Sequence, residues 1–200
     1  MSACLSTAEE SCAFVLLAAG RGARFGADKL SRLYRGKPIW RWAADAGQDA
    51  GFVHRFIVVG PHSSIEAPAD WTCVVNDRAE AGMGTSIAAG VAAAWQHARI
   101  VIALADMPRM TATHLRRLSK SDGVTFTRYP DGHAGSPAAF PPSAFASLMR
   151  LDGDRGARFQ DFPKYSTIDP VDPSVLRDVD TPADLALLTR DMMSADKSDG

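Results

Sequence analysis

The chain is short of the features that mark out most simple classes. Its 22 Lys and Arg stand against 23 Asp and Glu, a formal charge of −1, so no broad field draws it to nucleic acid or to an anionic membrane. Any affinity for phosphate must come from locally placed groups. Cysteine is scarce. Cys4, Cys12 and Cys73 form an odd set without metal-ligand spacing, which argues against a disulfide framework or a zinc site and for a reducing compartment. The apolar run at 13–19 is too short to cross a bilayer, and the MSACLSTAEES before it has two glutamates and no basic residue, so neither a leader nor a membrane span is expected. A cytoplasmic location is expected. No repeat, low-complexity tract or dividing linker interrupts the chain.

What is present suits one α/β domain. With 200 residues, 46% hydrophobic and 22% charged, a full core is available. A single domain is expected over 13–190, with a flexible N-terminus at 1–12 and a flexible tail at 191–200. AFVLLA at 13–18 reads as a strand covered on both faces, followed by strands at 55–60, 71–76, 99–106 and 124–127. Helices are expected after Pro38, over 84–98 with Thr85 or Ser86 as cap, over 112–120 and over 142–151. A further turn and helix are expected from GDRGARFQDF, a short strand at 165–169, and a last helix capped by Thr181 with Pro182 in its first position. Strands alternating with helices predict an open, mostly parallel sheet, whose ligands bind beyond the carboxyl ends of the strands. That rule points to the loops after residues 18, 76 and 106.

The first of these loops lies in VLLAAGRGARFGADKL, residues 15–30. Gly20, Gly22 and Gly26 are spaced G-x-G-x-x-x-G, one residue longer than the dinucleotide fingerprint, and Gly36-Lys37 runs into proline instead of Ser or Thr. Both common phosphate motifs fail. What remains is a glycine-rich turn whose backbone N–H groups can approach an anion, with Arg24 and Lys29 to meet its charge. A polyphosphate fits this composition; an ordinary strand-to-helix turn with solvated basic residues is the plainer alternative.

LAAGRGARFGADKL followed by GKPI resembles the signature of the nucleotidyltransferases with the MobA-like fold. The similarity continues through GMGTSIAAG at 82–90, ALADMP at 103–108, GSPAAF at 135–140, GDRGAR at 153–158 and DVDTPADL at 178–185, in order. Together these motifs cover residues 14 to 188, and they are most similar to the molybdenum cofactor cytidylyltransferases. Ser136 departs from that pattern, which has His or Asn there. The resemblance implies a three-layer α/β/α, Rossmann-like fold of the nucleotide-diphospho-sugar transferase type. It also implies Mg²⁺-dependent transfer of CMP from CTP to molybdenum-bound molybdopterin, with pyrophosphate released. A molybdoenzyme or its maturation chaperone would be a downstream partner. A GTP-using transferase, another phosphorylated acceptor, and a non-catalytic module that delivers the cofactor are the alternatives.

Without a covalent intermediate, such catalysis is positioning of two anions plus neutralisation of charge. Lys29 is expected near the α-phosphate, where charge builds in the transition state, and Arg24 nearer the leaving pyrophosphate, with the opposite assignment as the alternative. Asp106 ends an apolar strand, so its carboxylate should emerge at the ligand edge, where Mg²⁺ takes one or two carboxylates and completes its shell with phosphates and water. A turn role before Pro108 is the alternative. Asp180 is the candidate second metal carboxylate, or equally a helix-start residue favoured by the dipole. Leu17, Ala18, Ala19, Gly20 and Gly22 should form the nucleotide-binding turn with Arg24 and Lys29, and Asn76, Asp77, Gly84, Thr85 and Ser86 should lie against base or ribose. Ala19, where guanylyl-transferring relatives more often have glycine, favours CTP. The five histidines have no i, i+4 spacing and the four tryptophans, Trp40, Trp42, Trp71 and Trp95, read as packing residues.

Overall fold

In a computed structural model, residues 12–20 and 29–195 are described, with the side chains of Phe159 and 191–195 outside the description. The first strand, β1 (Cys12–Leu17), is buried at every position. Its side chains alternate between two cores: Phe14 and Leu16 enter one, Ala13, Val15 and Leu17 the other. A strand flanked by cover on both sides has no polar face to keep, which is why its sequence is continuously apolar.

A small hairpin, β2 (Leu33–Tyr34) and β3 (Lys37–Pro38), leads into α1 (Ile39–Asp49). Then follow β4 (His54–Val59), β5 (Thr72–Val75), α2 (Met83–Ala94), β6 (Arg99–Leu104) and α3 (Ala112–Ser119). The chain closes with β7 (Thr125–Arg128), β8 (Ala134–Phe140), α4 (Pro142–Leu148), β9 (Ser166–Ile168) and α5 (Pro182–Ala195). The main sheet runs β5-β4-β1-β6-β8-β7-β9. Pairings β5/β4, β4/β1, β1/β6 and β7/β9 are parallel, whereas β8 is antiparallel to both neighbours. Helices α1, α3 and α5 cover one face and α2 and α4 the other, giving the expected three-layer α/β/α, mostly parallel fold.

The small residues of α2 explain how closely it lies on the sheet. A Cβ on Gly90 would stand 2.5 Å from Val15 Cγ1 and 3.0 Å from Val58 Cγ2. Other local expectations change. The cap of α2 is Gly82, not Thr85 or Ser86, whose side chains are buried inside the first turn. Trp95, just past the end of α2, is 60% exposed and does not pack as expected, while Trp40 and Trp71 pack in the core as expected. GDRGARFQDF forms only a 3₁₀ turn at Ala157–Phe159, and α4 ends at Leu148, short of residue 151. Thr181 does cap α5: its hydroxyl accepts from Asp184 N–H at 3.2 Å, and the Asp184 carboxylate takes the Thr181 N–H at 2.7 Å.

One histidine has a specific structural task. His114 of α3 is buried with its Nε2 2.7 Å from Thr127 Oγ1, and the Thr127 hydroxyl donates to Pro137 O at 2.6 Å. Thr127 has one proton to give, so Nε2–H is the donor to it and Nδ1 is left bare, buried and unpartnered. Burial, and then the Arg117 charge, push the imidazole down to about 4. A histidine with a folded pKa below its unfolded value of about 6.5 contributes stability that is complete above 6.5 and lost as pH falls toward about 4. The loss reaches about 3 kcal/mol. Urea unfolding at pH 7 and pH 4.5 should therefore show a larger drop in midpoint for the native sequence than for His114→Gln; equal drops would contradict this.

Candidate functional site

The parallel strands end at one edge, and the hydrogen bonds that continue past their ends hold the loops there. Ala18 N–H donates to Val58 O at 2.8 Å, Ala105 N–H to Leu17 O at 3.0 Å, and Asn76 N–H to Val59 O at 2.8 Å. The three loops selected from the sequence thus converge. Between them lies a cleft of about 260 Å³ lined by Leu17, Ala19, Gly20, Lys29, Ser86 and Asp106 among the expected residues. Leu30, Ala79, Glu80, Gly82, Met83, Leu104 and Asp154 complete its walls. A second chamber, which shares Ala19, Gly20, Ala79 and Glu80, opens toward Ala18 and residues 60–64. Gly22 and Arg24 lie outside the described residues.

At the cleft floor, Lys29 Nζ donates to Asp106 Oδ2 at 2.8 Å and to Asp180 Oδ1 at 3.0 Å. The residues come from opposite ends of the chain, and a backbone bond from Val179 N–H to Asp106 O at 3.0 Å brings the third segment in. The Asp180 carboxylate is not needed as a helix cap, because the Thr181 hydroxyl accepts the Asp184 N–H at 3.2 Å. Burial alone would depress the Lys29 ammonium, but the charges and hydrogen bonds of Asp106 and Asp180 outweigh it and hold its pKa above the ordinary lysine value. It is charged at neutral pH.

A third carboxylate, Asp178, stands close by. The protein around it and then the charges of Asp106 and Asp180 raise its pKa. Tyr129 is likewise pushed up to about 12, by burial and then by Asp178 and Asp106. Its hydroxyl donates to Ser136 O at 2.7 Å. Three acids around one lysine leave the floor with excess negative charge.

That excess, together with Asp106 Oδ1, a buried oxygen without a hydrogen-bond partner, suits a hard cation. Among the described residues no group of three or more His, Cys, Asp or Glu converges to cage a metal. Asp106 and Asp180 could instead hold one through two carboxylates, the pattern of Mg²⁺ sites completed by phosphates and water.

The loop expected to meet the base is internally bonded. Asn76 Nδ2 donates to Thr85 Oγ1 at 2.9 Å and to Ser86 Oγ at 3.0 Å, and its Oδ1 accepts from Arg78 N–H at 3.0 Å. The side chains of Asn76 and Thr85 are thus spent on shaping residues 76–86, and Ser86 is the member of that group that lines the cleft. Asp77 is exposed outside it, and Gly84 is tied by its N–H to Gly153 O at 2.8 Å. Arg78 grips Asp152 with both contacts at 3.0 Å, so the 152–154 turn is fastened to the 78–84 loop. Glu80, Asp154 and Asp178 were not singled out as site residues from the sequence. The signal for Asp178 was its i, i+2 spacing from Asp180 in DVDTP, which places both on one side of an extended segment.

The MobA-like NTP transferase domain model matches residues 14–162. The chain belongs to this family. The protein is a nucleotidyltransferase by that membership. The purine catabolism protein PucB of Bacillus subtilis (strain 168) is 29% identical over 196 residues, covering 89% of this chain and 96% of that protein. The nicotine blue oxidoreductase of Paenarthrobacter nicotinovorans is 38% identical over 109 residues, covering 52% of this chain and 53% of its own. The crystal structure of Rv0371c from Mycobacterium tuberculosis H37Rv superposes with a TM-score of 0.77 at 29% identity, covering 90% and 97% of the two chains. A second structure of Rv0371c, a complex with manganese, gives 0.71 at 26% identity with the same coverage.

Proposed function

We propose that the protein transfers the CMP group of CTP to molybdenum-bound molybdopterin, releasing pyrophosphate and forming a molybdopterin cytosine dinucleotide. The domain expected over 13–190 is the catalytic unit. The pairing of Lys29 with Asp106 and Asp180 carries this reading, because Lys29 and Asp106 line the cleft beside Gly20 and Asp180 bonds the same ammonium, which puts a cation and two metal-competent acids together where a triphosphate would rest. The molybdopterin and cytidylyl parts rest on the motif pattern, with Ala19 the residue that favours CTP.

The reaction is an in-line displacement at the α-phosphorus by an acceptor phosphate oxygen. The turn at Ala19 and Gly20 would offer its backbone to the triphosphate, and Lys29 and Arg24 would supply positive charge to it. A bound Mg²⁺ on Asp106 and Asp180 would neutralise further phosphate charge. Ser86 and the backbone of the 79–84 loop face the base, held in shape by Asn76 and Thr85. A site with such fixed polar groups discriminates by leaving them unpaired against the wrong base.

Redox chemistry is a second reading, favoured by the relative named for it. The glycine spacing, which is not that of a dinucleotide-binding turn, and the acid–lysine floor count against it. One assay separates the readings: purified protein with Mg²⁺, molybdenum-loaded molybdopterin and each triphosphate in turn. Stoichiometric pyrophosphate and cytidylylated product, formed faster with CTP than with GTP, are expected. Equal or better turnover with GTP overturns the cytidylyl assignment. Consumption of a reduced nicotinamide without pyrophosphate release would favour the redox reading.

A further inference from the structure

Lys29 lies where two acids would hold a metal. Its Nζ is within 2.8 Å of Asp106 Oδ2 and 3.0 Å of Asp180 Oδ1, and its side chain is only 8% exposed. We propose that Lys29 is the resident cation of the metal position in the nucleotide-free protein, so that the carboxylate pair opens to a divalent ion only when phosphate oxygens draw the ammonium away. Metal and triphosphate then bind as one coupled event. This inference rests on the site assignment proposed above.

Three observations support it. The ammonium satisfies one oxygen of Asp106 and leaves Oδ1 buried without a partner, as a small monovalent head would in a place suited to a larger coordination shell. A divalent ion approaching the same two oxygens would meet a like charge at contact distance in a half-buried site, where repulsion is weakly screened. Finally, Lys29, Asp106 and Gly20 line one cleft, so phosphates resting against the Gly20 turn would share that cleft with the lysine head. The four-carbon stem of lysine lets its head change partners without moving the backbone. Lys29 therefore shields an acidic cluster from stray cations until substrate arrives, and it delivers its charge to the phosphates as it leaves.

The test is Mn²⁺ binding without nucleotide, read by electron paramagnetic resonance, on the native protein, Lys29→Met, and Lys29→Met with Asp106→Asn. The native protein should bind Mn²⁺ weakly, Lys29→Met roughly ten-fold or more tightly, and the double variant should lose that gain. Mn²⁺ should also raise the thermal midpoint of Lys29→Met and leave that of the native protein unchanged. Lys29→Gln, whose amide keeps a donor for the acids, replaces Lys29→Met if the latter does not fold. Native binding as tight as that of the variant, or a gain that survives Asp106→Asn, overturns the inference. Cytidylyl transfer by a native protein that also binds Mn²⁺ tightly would sink this coupling and leave the proposed function standing. Tightening in the variant, with no turnover of any triphosphate by the native protein, would do the reverse.

Discussion

Asp106→Asn is expected to slow nucleotidyl transfer by roughly 10²–10³-fold while the fold survives. The substitution keeps the shape of the side chain and changes only its charge. Asp106 is the better buried of the two acids on Lys29, with its side chain 20% exposed against 47% for Asp180, so its charge acts in the lower dielectric and is worth more to a phosphate-bound cation. Asp180 remains to pair with Lys29, which limits the stability cost. Asp180→Asn should lower the rate less, since solvent replaces part of what it contributes. Steady-state rates with thermal midpoints for both variants check the order; a larger loss for Asp180→Asn would reverse the assignment of the principal acid.

Gly82→Ala should be the most damaging small change in the cleft wall. Gly82 caps α2 with φ 124° and ψ 176°, a region that L side chains rarely occupy. A Cβ there would stand 2.3 Å from Gly153 C and 2.4 Å from Gly153 O. These are backbone atoms of the 152–154 turn, fastened by Arg78 and by Gly84 N–H, so neither side can yield cheaply. Backbone strain and overpacking together cost about 3 kcal/mol or more. The damage falls on the two loops that wall the cleft, so nucleotide affinity should fall together with the urea midpoint. Native affinity with a native midpoint would show that the loops separate without consequence.

Much of this arrangement was legible in the sequence where local physics decides. AFVLLA announced a doubly covered strand because every position is buried, and Thr181-Pro182 announced a helix start because capping is local. The same logic failed at Thr85 and Ser86. Their hydroxyls fit a cap by composition, but Asn76, at the end of a strand nine residues earlier, draws them into a buried network and leaves the cap to Gly82. Asp180 was undecidable locally, being both a metal candidate and a helix-start residue. Its carboxylate does not serve as the cap, which Thr181 provides, and it pairs with Lys29, 151 residues away. GDRGAR lacks a helix because its turn is tied to the 78–84 loop, a contact no local propensity encodes. The chemistry of the site was readable as residue types at strand ends, whereas the pairing of lysine with both acids depends on topology.

The most direct test is a crystal structure with CTP and Mg²⁺ bound. The triphosphate should rest on the Gly20 turn, with the base against Ser86 and the 79–84 loop. Lys29 should sit on phosphate oxygens, and the metal should be coordinated by Asp106 and Asp180. A metal bound away from both aspartates, or Lys29 still paired to them with the nucleotide in place, would contradict the account.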